Sequence, residues 1–348
     1  MLEFIEIKLV QHWYIKQRSL SYYALHFLLL PLSWLFAALS AIRRWLYQYR
    51  VLANQQLDVP VIVIGNISVG GTGKTPLVIW LAEQLKQAGY MPGIISRGFG
   101  GKHQGEVTND SQPQSVGDEP VLISQRTLCP VFVGSNRVLV GQELLKAYPA
   151  CDVIISDDGL QHYRLARDVE LAVVDGQRLF GNAYLLPAGP LRESIARLKT
   201  VDATVINGVA IELQQAFTMQ MQVGQLTNVA NKQMTASITD FQHKKILAVA
   251  GIGHPERFFQ LLTTIGINCQ TQAYPDHYVF QAIDFAKVEA DIVLMTEKDA
   301  VKCTEFSQSE LAEKLWYLPV DAVLVEGEQL MRCILDKIDH VQNSEIKE

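Results

Sequence analysis

Ser68-Val69-Gly70-Gly71-Thr72-Gly73-Lys74-Thr75 follows the apolar run Val59-Pro60-Val61-Ile62-Val63-Ile64 and opens a helix-like segment from Pro76 to Gln87. Strand, glycine-rich turn, Lys-Thr and helix is an arrangement that wraps backbone N–H groups around nucleotide phosphates. The helix N-terminus adds partial positive charge. Lys74 can reach the terminal phosphates and Thr75 can ligate Mg²⁺. Ser68 stands where the motif usually has its first Gly, and Gly70 and Gly71 add freedom inside the loop. These residues predict a protein that handles ATP or GTP.

Other residues are candidates for the chemistry done on a bound nucleotide. Val153-Ile154-Ile155-Ser156 is an apolar strand ending in Asp157 and Asp158, the position of acids that hold Mg²⁺ in phosphate-loop proteins. Gly117-Asp118-Glu119-Pro120 reads two ways: a base or metal ligand over the γ-phosphate, or a helix N-cap. Gln161, His162, Arg137, Arg164, Arg167 and Arg192 lie near element ends and could pair phosphate, or could be solvated surface groups. His277, in Pro275-Asp276-His277-Tyr278, is either a cleft residue tuning a carboxylate or a packed structural histidine.

The elements that must position these groups alternate. Strands are predicted at 91–95, 131–133, 153–155, 171–175 and 203–207, with helices at 119–125 and 136–147 between them. Such alternation implies a mainly parallel sheet covered on both faces. Residues 102–117 are polar and rich in turn formers, so a loop is expected there. The division expected is a helical N-terminal segment (1–57), a phosphate-loop domain (58–210), linker strands (211–242) and a smaller α/β domain (243–348). In that last part, strands are expected at 245–250, near Cys269 and at 292–296, with Leu315–Leu318 as the final edge. Gly251-Ile252-Gly253 lacks the third glycine of a dinucleotide turn and reads as a plain strand-to-helix turn.

The net charge of −6 over 348 residues argues against nucleic-acid binding. Residues 1–57 nevertheless carry six basic and two acidic residues, leaving −10 on the rest, which suits an anionic surface or substrate. The five cysteines, at 129, 151, 269, 303 and 333, form no CxxC pair, as in a reduced cytosolic protein. Tyr22 to Ile42 is 21 residues without a formal charge, bracketed by Trp and Tyr. At helical rise it approaches the roughly 30 Å of a bilayer's hydrocarbon core. A membrane anchor, spanning or lying in the interface, is favoured over a buried core helix. Arg43-Arg44 in place of a small-residue cleavage site disfavours a signal peptide. His26, Ser33 and Ser40 do not follow i+3/i+4 spacing, so no polar stripe is expected.

Taken together, the residues resemble the tetraacyldisaccharide 4′-kinase family, the lipid A kinases of Gram-negative bacteria. The resemblance rests on Ser68–Pro76 (SVGGTGKTP), Ser96–Gly101 (SRGFGG), Gly117–Pro120 (GDEP), Asn136-Arg137, Asp157–His162 (DDGLQH) and Leu186–Glu193 (LPAGPLRE). It extends through Ala250–Phe258 (AGIGHPERF), Pro275–Tyr278 (PDHY) and Thr296–Lys302 (TEKDAVK). It implies transfer of the ATP γ-phosphoryl group to the 4′-hydroxyl of tetraacyldisaccharide 1-phosphate, giving lipid IVA, at the cytoplasmic face of the bacterial inner membrane. Two lobes closing over the nucleotide, a requirement for Mg²⁺, and no obligate protein partner are also implied. By the same resemblance Asp118 is the general base, paired with His277 (His254 being the alternative), and Lys74 is catalytic. Ser68, Val69, Gly70, Gly71, Thr72, Gly73, Lys74 and Thr75 would bind ATP, and Thr75, Glu119, Asp157 and Asp158 would surround the metal. Arg137, Gln161, His162, Arg192 and Glu193 would line the phosphate and substrate region. Ser194 stands where Pro is expected. A competing reading is a membrane-tethered ATPase or GTPase switch. It is weakened because Asn231-Lys232-Gln233-Met234 lacks the aspartate of a guanine reader and Thr296-Glu297-Lys298-Asp299 has the wrong spacing.

Overall fold

The computed structural model describes residues 10, 12–14, 19–98, 103–108, 110–209, 215–286 and 289–345. In chain order its first elements are α1 (Leu20–Gln48), β1 (Val61–Gly65), α2 (Lys74–Gln87), β2 (Pro92–Ser96), β3 (Gly105–Glu106), α3 (Pro113–Val116), α4 (Asp118–Thr127) and β4 (Val131–Val133). Then come α5 (Arg137–Ala147), β5 (Val153–Asp157), β6 (Val169–Asp175), β7 (Ala203–Asn207), β8 (Ala216–Val223), β9 (Leu226–Asn228), β10 (Thr235–Ala236) and β11 (Ile246–Ala250). The chain ends with α6 (Pro255–Thr264), β12 (Gln270–Ala273), α7 (Ala282–Ala286), β13 (Ile292–Thr296), α8 (Glu297–Ala300), β14 (Leu315–Leu318), β15 (Val320–Leu324) and α9 (Gly327–Glu345).

Two sheets organise these elements. The larger has nine strands in the order β15-β8-β7-β6-β1-β5-β2-β4-β3, and the smaller has six in the order β10-β9-β14-β13-β11-β12. The central strands β1, β2, β5, β6 and β7 run parallel, and all five residues of β1, β2, β5 and β7 are buried. Successive strand residues face opposite sides, so Ile62, Ile64 and Ile155 join the core under α2, α4 and α9, whereas Val61, Val63 and Ile154 join the core under α5. The smaller sheet divides likewise. Ala248 and Leu294 pack with Phe258 and Leu262 of α6, while Val249 and Met295 pack with Phe280, Phe285 and Phe306.

The expected partition at 211–242 and 243–348 differs from the hydrogen-bonding pattern. Within the described part of 211–242, β8 pairs in parallel with β7 and belongs to the large sheet, whereas β9 and β10 belong to the small one. After β14 the chain recrosses: β15 pairs antiparallel with β8, and Leu330, Met331, Ile334 and Ile338 of α9 complete the large lobe's core. Leu315–Leu318 is therefore an interior strand between β9 and β13, and β12, fully exposed along its length, is an edge. The loop expected at 102–117 contains β3 and α3; Lys102 and Asn109 lie outside the described residues.

Helix α1 does have a polar stripe. Tyr22, His26 and Ser33 are buried at spacings of four and seven, which places them on one helical face. The Ser33 hydroxyl donates to the Leu185 carbonyl at 2.7 Å, and Trp13 donates through Nε1 to the Pro187 carbonyl at 3.0 Å. The remaining circumference stays apolar and exposed, with Phe27, Leu28, Trp34, Leu35 and Leu39 each more than half exposed. Residues 22–48 are long and apolar enough to cross a membrane by length and composition.

Candidate active site

The turn from β1 to α2 is fixed by two asparagines. Asn66, the first residue after β1, donates through Nδ2 to Thr72 Oγ1 at 3.2 Å, bracing the loop from within. Asn207, at the end of β7, donates to the Thr72 carbonyl at 2.9 Å and accepts from Arg257 Nη2 at 2.7 Å. Gly73 has φ 97°, and a Cβ there would stand 2.2 Å from Asn207 Nδ2, so the position excludes any side chain. Gly73 is also the N-cap of α2, and no side chain caps the helix. The first-turn N–H groups are therefore available to an anion. Ser68 and Val69 run beside the 185–191 loop, with the Val69 N–H donating to the Pro190 carbonyl at 2.8 Å.

Lys74 lies on the first turn of α2, its ammonium 3.4 Å from Asp158 Oδ1. Asp158 also takes Arg192 Nη1 on both carboxylate oxygens at 3.1 Å. Burial works against its charge, but Lys74 and Arg192 outweigh burial and hold its pKa down at about 2. Asp158 is thus a permanent anion that aims two cations at the phosphate loop. Neighbouring Asp157 differs. It is 1% exposed and accepts from Ser96 Oγ at 3.0 Å through Oδ2, while its buried Oδ1 has no hydrogen-bond partner among the described residues. Burial, reinforced by the charge of Glu119, pushes its pKa up to about 6.

Asp118 is the first residue of α4, following Gly117 as N-cap, and is 4% exposed. Both of its carboxylate oxygens lie 3.0 Å from Nδ1 of His277. Burial again opposes ionisation, yet the His277 hydrogen bond and the Lys298 ammonium, 3.8 Å away, bring its pKa below the ordinary value. The same hydrogen bond raises the pKa of His277. The helix-cap and base readings of Asp118 prove compatible, because one oxygen also accepts the Glu119 N–H at 2.9 Å. His277 sits in a left-handed conformation, φ 59°, with its N–H donating to the Gly251 carbonyl at 3.2 Å. The backbone thereby directs the side chain of the small lobe onto α4 of the large one. His254 is placed elsewhere, at the N-cap of α6, 3.9 Å from Glu256. Gly251–Gly253 forms the plain turn expected between β11 and α6, and a Cβ on Gly253 would lie 3.5 Å from the Gly71 N. This turn therefore abuts the phosphate loop.

The remaining expected residues separate into two groups. Arg192 faces the phosphate loop, bonding Asp158 and approaching Asn66 Oδ1 at 3.4 Å. Glu193 is buried and accepts from Gln161 Nε2 at 2.8 Å and from the Tyr163 hydroxyl, with Arg197 3.5 Å away. Gln161 also donates to the Asn66 carbonyl, so these residues buttress the loop. Arg137, 2% exposed, donates to the carbonyls of Gly134 and Asp157. It pins the end of β5 and offers no open guanidinium to a substrate; burial lowers its pKa to about 10. Burial and neighbouring arginines lower the pKa of His162 to about 4, keeping it neutral at physiological pH. Phe99, Gly100 and Gly101 of the SRGFGG stretch lie outside the described residues.

Three residues at the site are not marked out by the sequence. Asn66 and Asn207 stand at the ends of strands adjoining the phosphate loop, a placement that signals them only after the strand order is known. Lys298 falls within the TEKDAVK stretch, and its ammonium lies 2.9 Å from Glu119 Oε1 and 3.7 Å from Asp276 Oδ1.

Among the described residues no three His, Cys, Asp or Glu side chains gather into a ready-made metal cage. That suits Mg²⁺, which usually takes one or two carboxylates and completes its shell with phosphate oxygens and water. The partnerless buried Oδ1 of Asp157 fits such an ion, which would relieve the repulsion that raises its pKa.

An uncapped helix behind a glycine loop, paired strand-end acids and an acid–imidazole pair spanning two lobes define an α/β phosphotransferase of the phosphate-loop class. Residues 25–339 match the family model described as tetraacyldisaccharide-1-P 4′-kinase, and the chain belongs to that family. The chain is 48% identical over 321 residues to the tetraacyldisaccharide 4′-kinase of Methylobacillus flagellatus, covering 92% of this chain and 94% of the relative. It is 47% identical to that of Shewanella loihica, over 95% of this chain and 97% of the relative. The crystal structure of LpxK from Aquifex aeolicus in complex with ATP superposes with a TM-score of 0.77 at 29% identity, over 90% of this chain and 99% of that one.

Proposed function

We propose that this chain transfers the γ-phosphoryl group of ATP to the 4′-hydroxyl of tetraacyldisaccharide 1-phosphate, giving lipid IVA and ADP, at the cytoplasmic face of the bacterial inner membrane. The observation that carries the reading is the 3.0 Å contact of the Asp118 carboxylate with His277, reaching across the lobes beside the phosphate loop. A sugar hydroxyl is a weak nucleophile near neutral pH, and a carboxylate placed to take its proton lowers the barrier. A switch protein that only hydrolyses nucleotide has no need of such a pair held in the second lobe.

In this mechanism the loop N–H groups and Lys74 hold the β- and γ-phosphates, while Arg192 spreads the charge of the equatorial oxygens. Asp118 accepts the 4′-hydroxyl proton as the new O–P bond forms and the bond from the γ-phosphorus to ADP breaks. His277 keeps the carboxylate oriented and anionic. Thr75, Asp157 and Glu119 would hold Mg²⁺, which neutralises phosphate charge when bound. The exposed apolar circumference of α1 would seat among acyl chains, with Arg43 and Arg44 at the headgroup level.

The test is transfer of labelled γ-phosphate from Mg-ATP to a defined tetraacyl disaccharide in micelles, with a soluble sugar as control. Label in the lipid alone is the expected result. Equal labelling of the soluble sugar, or release of orthophosphate only, would refute the reading.

A further inference from the structure

Helix α4, which carries Asp118 on its first turn, is gripped by the small lobe at two places. Glu297 and Lys298 are adjacent, at the start of α8. Lys298 meets the N-terminal end of α4 through Glu119 at 2.9 Å. Glu297 meets the other end, accepting from Arg126 Nη1 at 2.9 and 2.7 Å through its two oxygens. Glu119 and Arg126 are seven residues apart, two helical turns or about 10 Å. The charges are complementary and opposite at the two points, so α4 cannot reverse or slip by one turn without setting like charges together. Between the points, Val301 is buried in the same apolar core as Val121 and Ile123. Arg126 also pairs with Asp321 of β15, the strand that returns the chain to the large sheet.

We propose that Arg126–Glu297 and Glu119–Lys298 form a two-point clamp that fixes the tilt and register of α4 against the small lobe, which makes Arg126 and Glu297 positioning residues for phosphoryl transfer. The inference rests on Asp118 being the base. Arg126 lies eight residues, about 12 Å, from Asp118 along the helix. A tilt of about 10° pivoting there moves Asp118 by about 2 Å, and misplacements of about 1 Å at a reacting centre can cost about 100-fold. Arg126 and Glu297 are 25% and 12% exposed, so solvent screens the pair incompletely.

The test is a double-mutant cycle in the full-length chain: Arg126→Gln, Glu297→Gln and the double variant. Each is assayed with Mg-ATP and tetraacyl disaccharide in micelles, alongside hydrogen exchange of residues 118–122. Each single variant should lower kcat about tenfold or more, with the KM for ATP within about twofold, and the double should be no worse than the poorer single. Exchange at 118–122 should rise in all three. Additive losses, or a lowered melting temperature with unchanged kcat and exchange, would overturn the clamp. Wild-type protein that fails to label the lipid would instead overturn the assignment of function, and the exchange measurement would still judge the clamp.

Discussion

Replacing Asp118 by Asn keeps the shape of the side chain and removes its capacity to accept a proton. The 4% exposure of Asp118 means no solvent base can easily substitute for it in the closed site. General-base catalysis by a placed group contributes about 10²- to 10⁴-fold, so D118N should lose that much in kcat, about 3–5 kcal/mol of barrier. Binding of ATP should change little, because the phosphate contacts come from the loop and Lys74 on a different element. The pH dependence supplies a second signature. The pKa of Asp118 is depressed, so wild-type activity should hold through neutral pH and fall only as pH drops below the ordinary carboxylate range. That acid limb should vanish in D118N, and the pKa of His277, raised chiefly by Asp118, should fall back. The linkage to stability runs oppositely for the two partners. The Asp118 contribution is present above its unfolded pKa and lost as pH falls through the folded value. The His277 contribution is full below its unfolded pKa, near 6.5, and lost as pH rises through the raised folded value. Single-turnover transfer in micelles across pH, with calorimetric titration of a non-hydrolysable ATP analogue, measures both. A D118N variant within about threefold of wild type, or one whose analogue affinity collapses with its rate, would refute the assignment.

Lys74→Ala should abolish turnover while leaving the thermal midpoint nearly unchanged, since Asp158 keeps Arg192 as partner; a circular-dichroism melt alongside the kinase assay checks both. Gly73→Ala should abolish nucleotide binding and destabilise the fold by about 1–3 kcal/mol, because a Cβ at φ 97° meets Asn207; denaturant unfolding and nucleotide titration report the two effects. Removing residues 1–42 should shift the protein from vesicles to solution in a flotation assay and raise the KM for micellar lipid more than it lowers kcat; unaltered flotation would remove α1 from the membrane role.

The phosphate loop and several strands are legible in the sequence because their signals are local. Residues 131–133, 203–207 and 292–296 form strands with the expected bounds, since each is a short buried apolar run. Partner choice is not legible. The Gln-rich alternation of β8 announces a strand with one polar face but does not say which sheet it joins, and β15 and α9 return to the large lobe through hydrogen bonds that no local pattern encodes. At the site the residue types are readable and their neighbours are not. Asp157 and Asp158 look alike in sequence, yet one is buried with an unpartnered oxygen and the other is locked to Lys74 and Arg192. Arg137 reads as a phosphate ligand and is consumed by two backbone carbonyls. The stripe on α1 is hidden in the sequence because His26 and Ser33 are two turns apart, and the residue that closes their face is the aromatic Tyr22.

The claim on which the account turns is that the two lobes build one base between them. Comparing kcat for D118N, His277→Ala and the double variant measures it most directly. The account predicts that the double variant loses no more than D118N alone, because His277 acts only through the Asp118 carboxylate. Losses that multiply would mean the two side chains act separately, and the shared base would have to be abandoned.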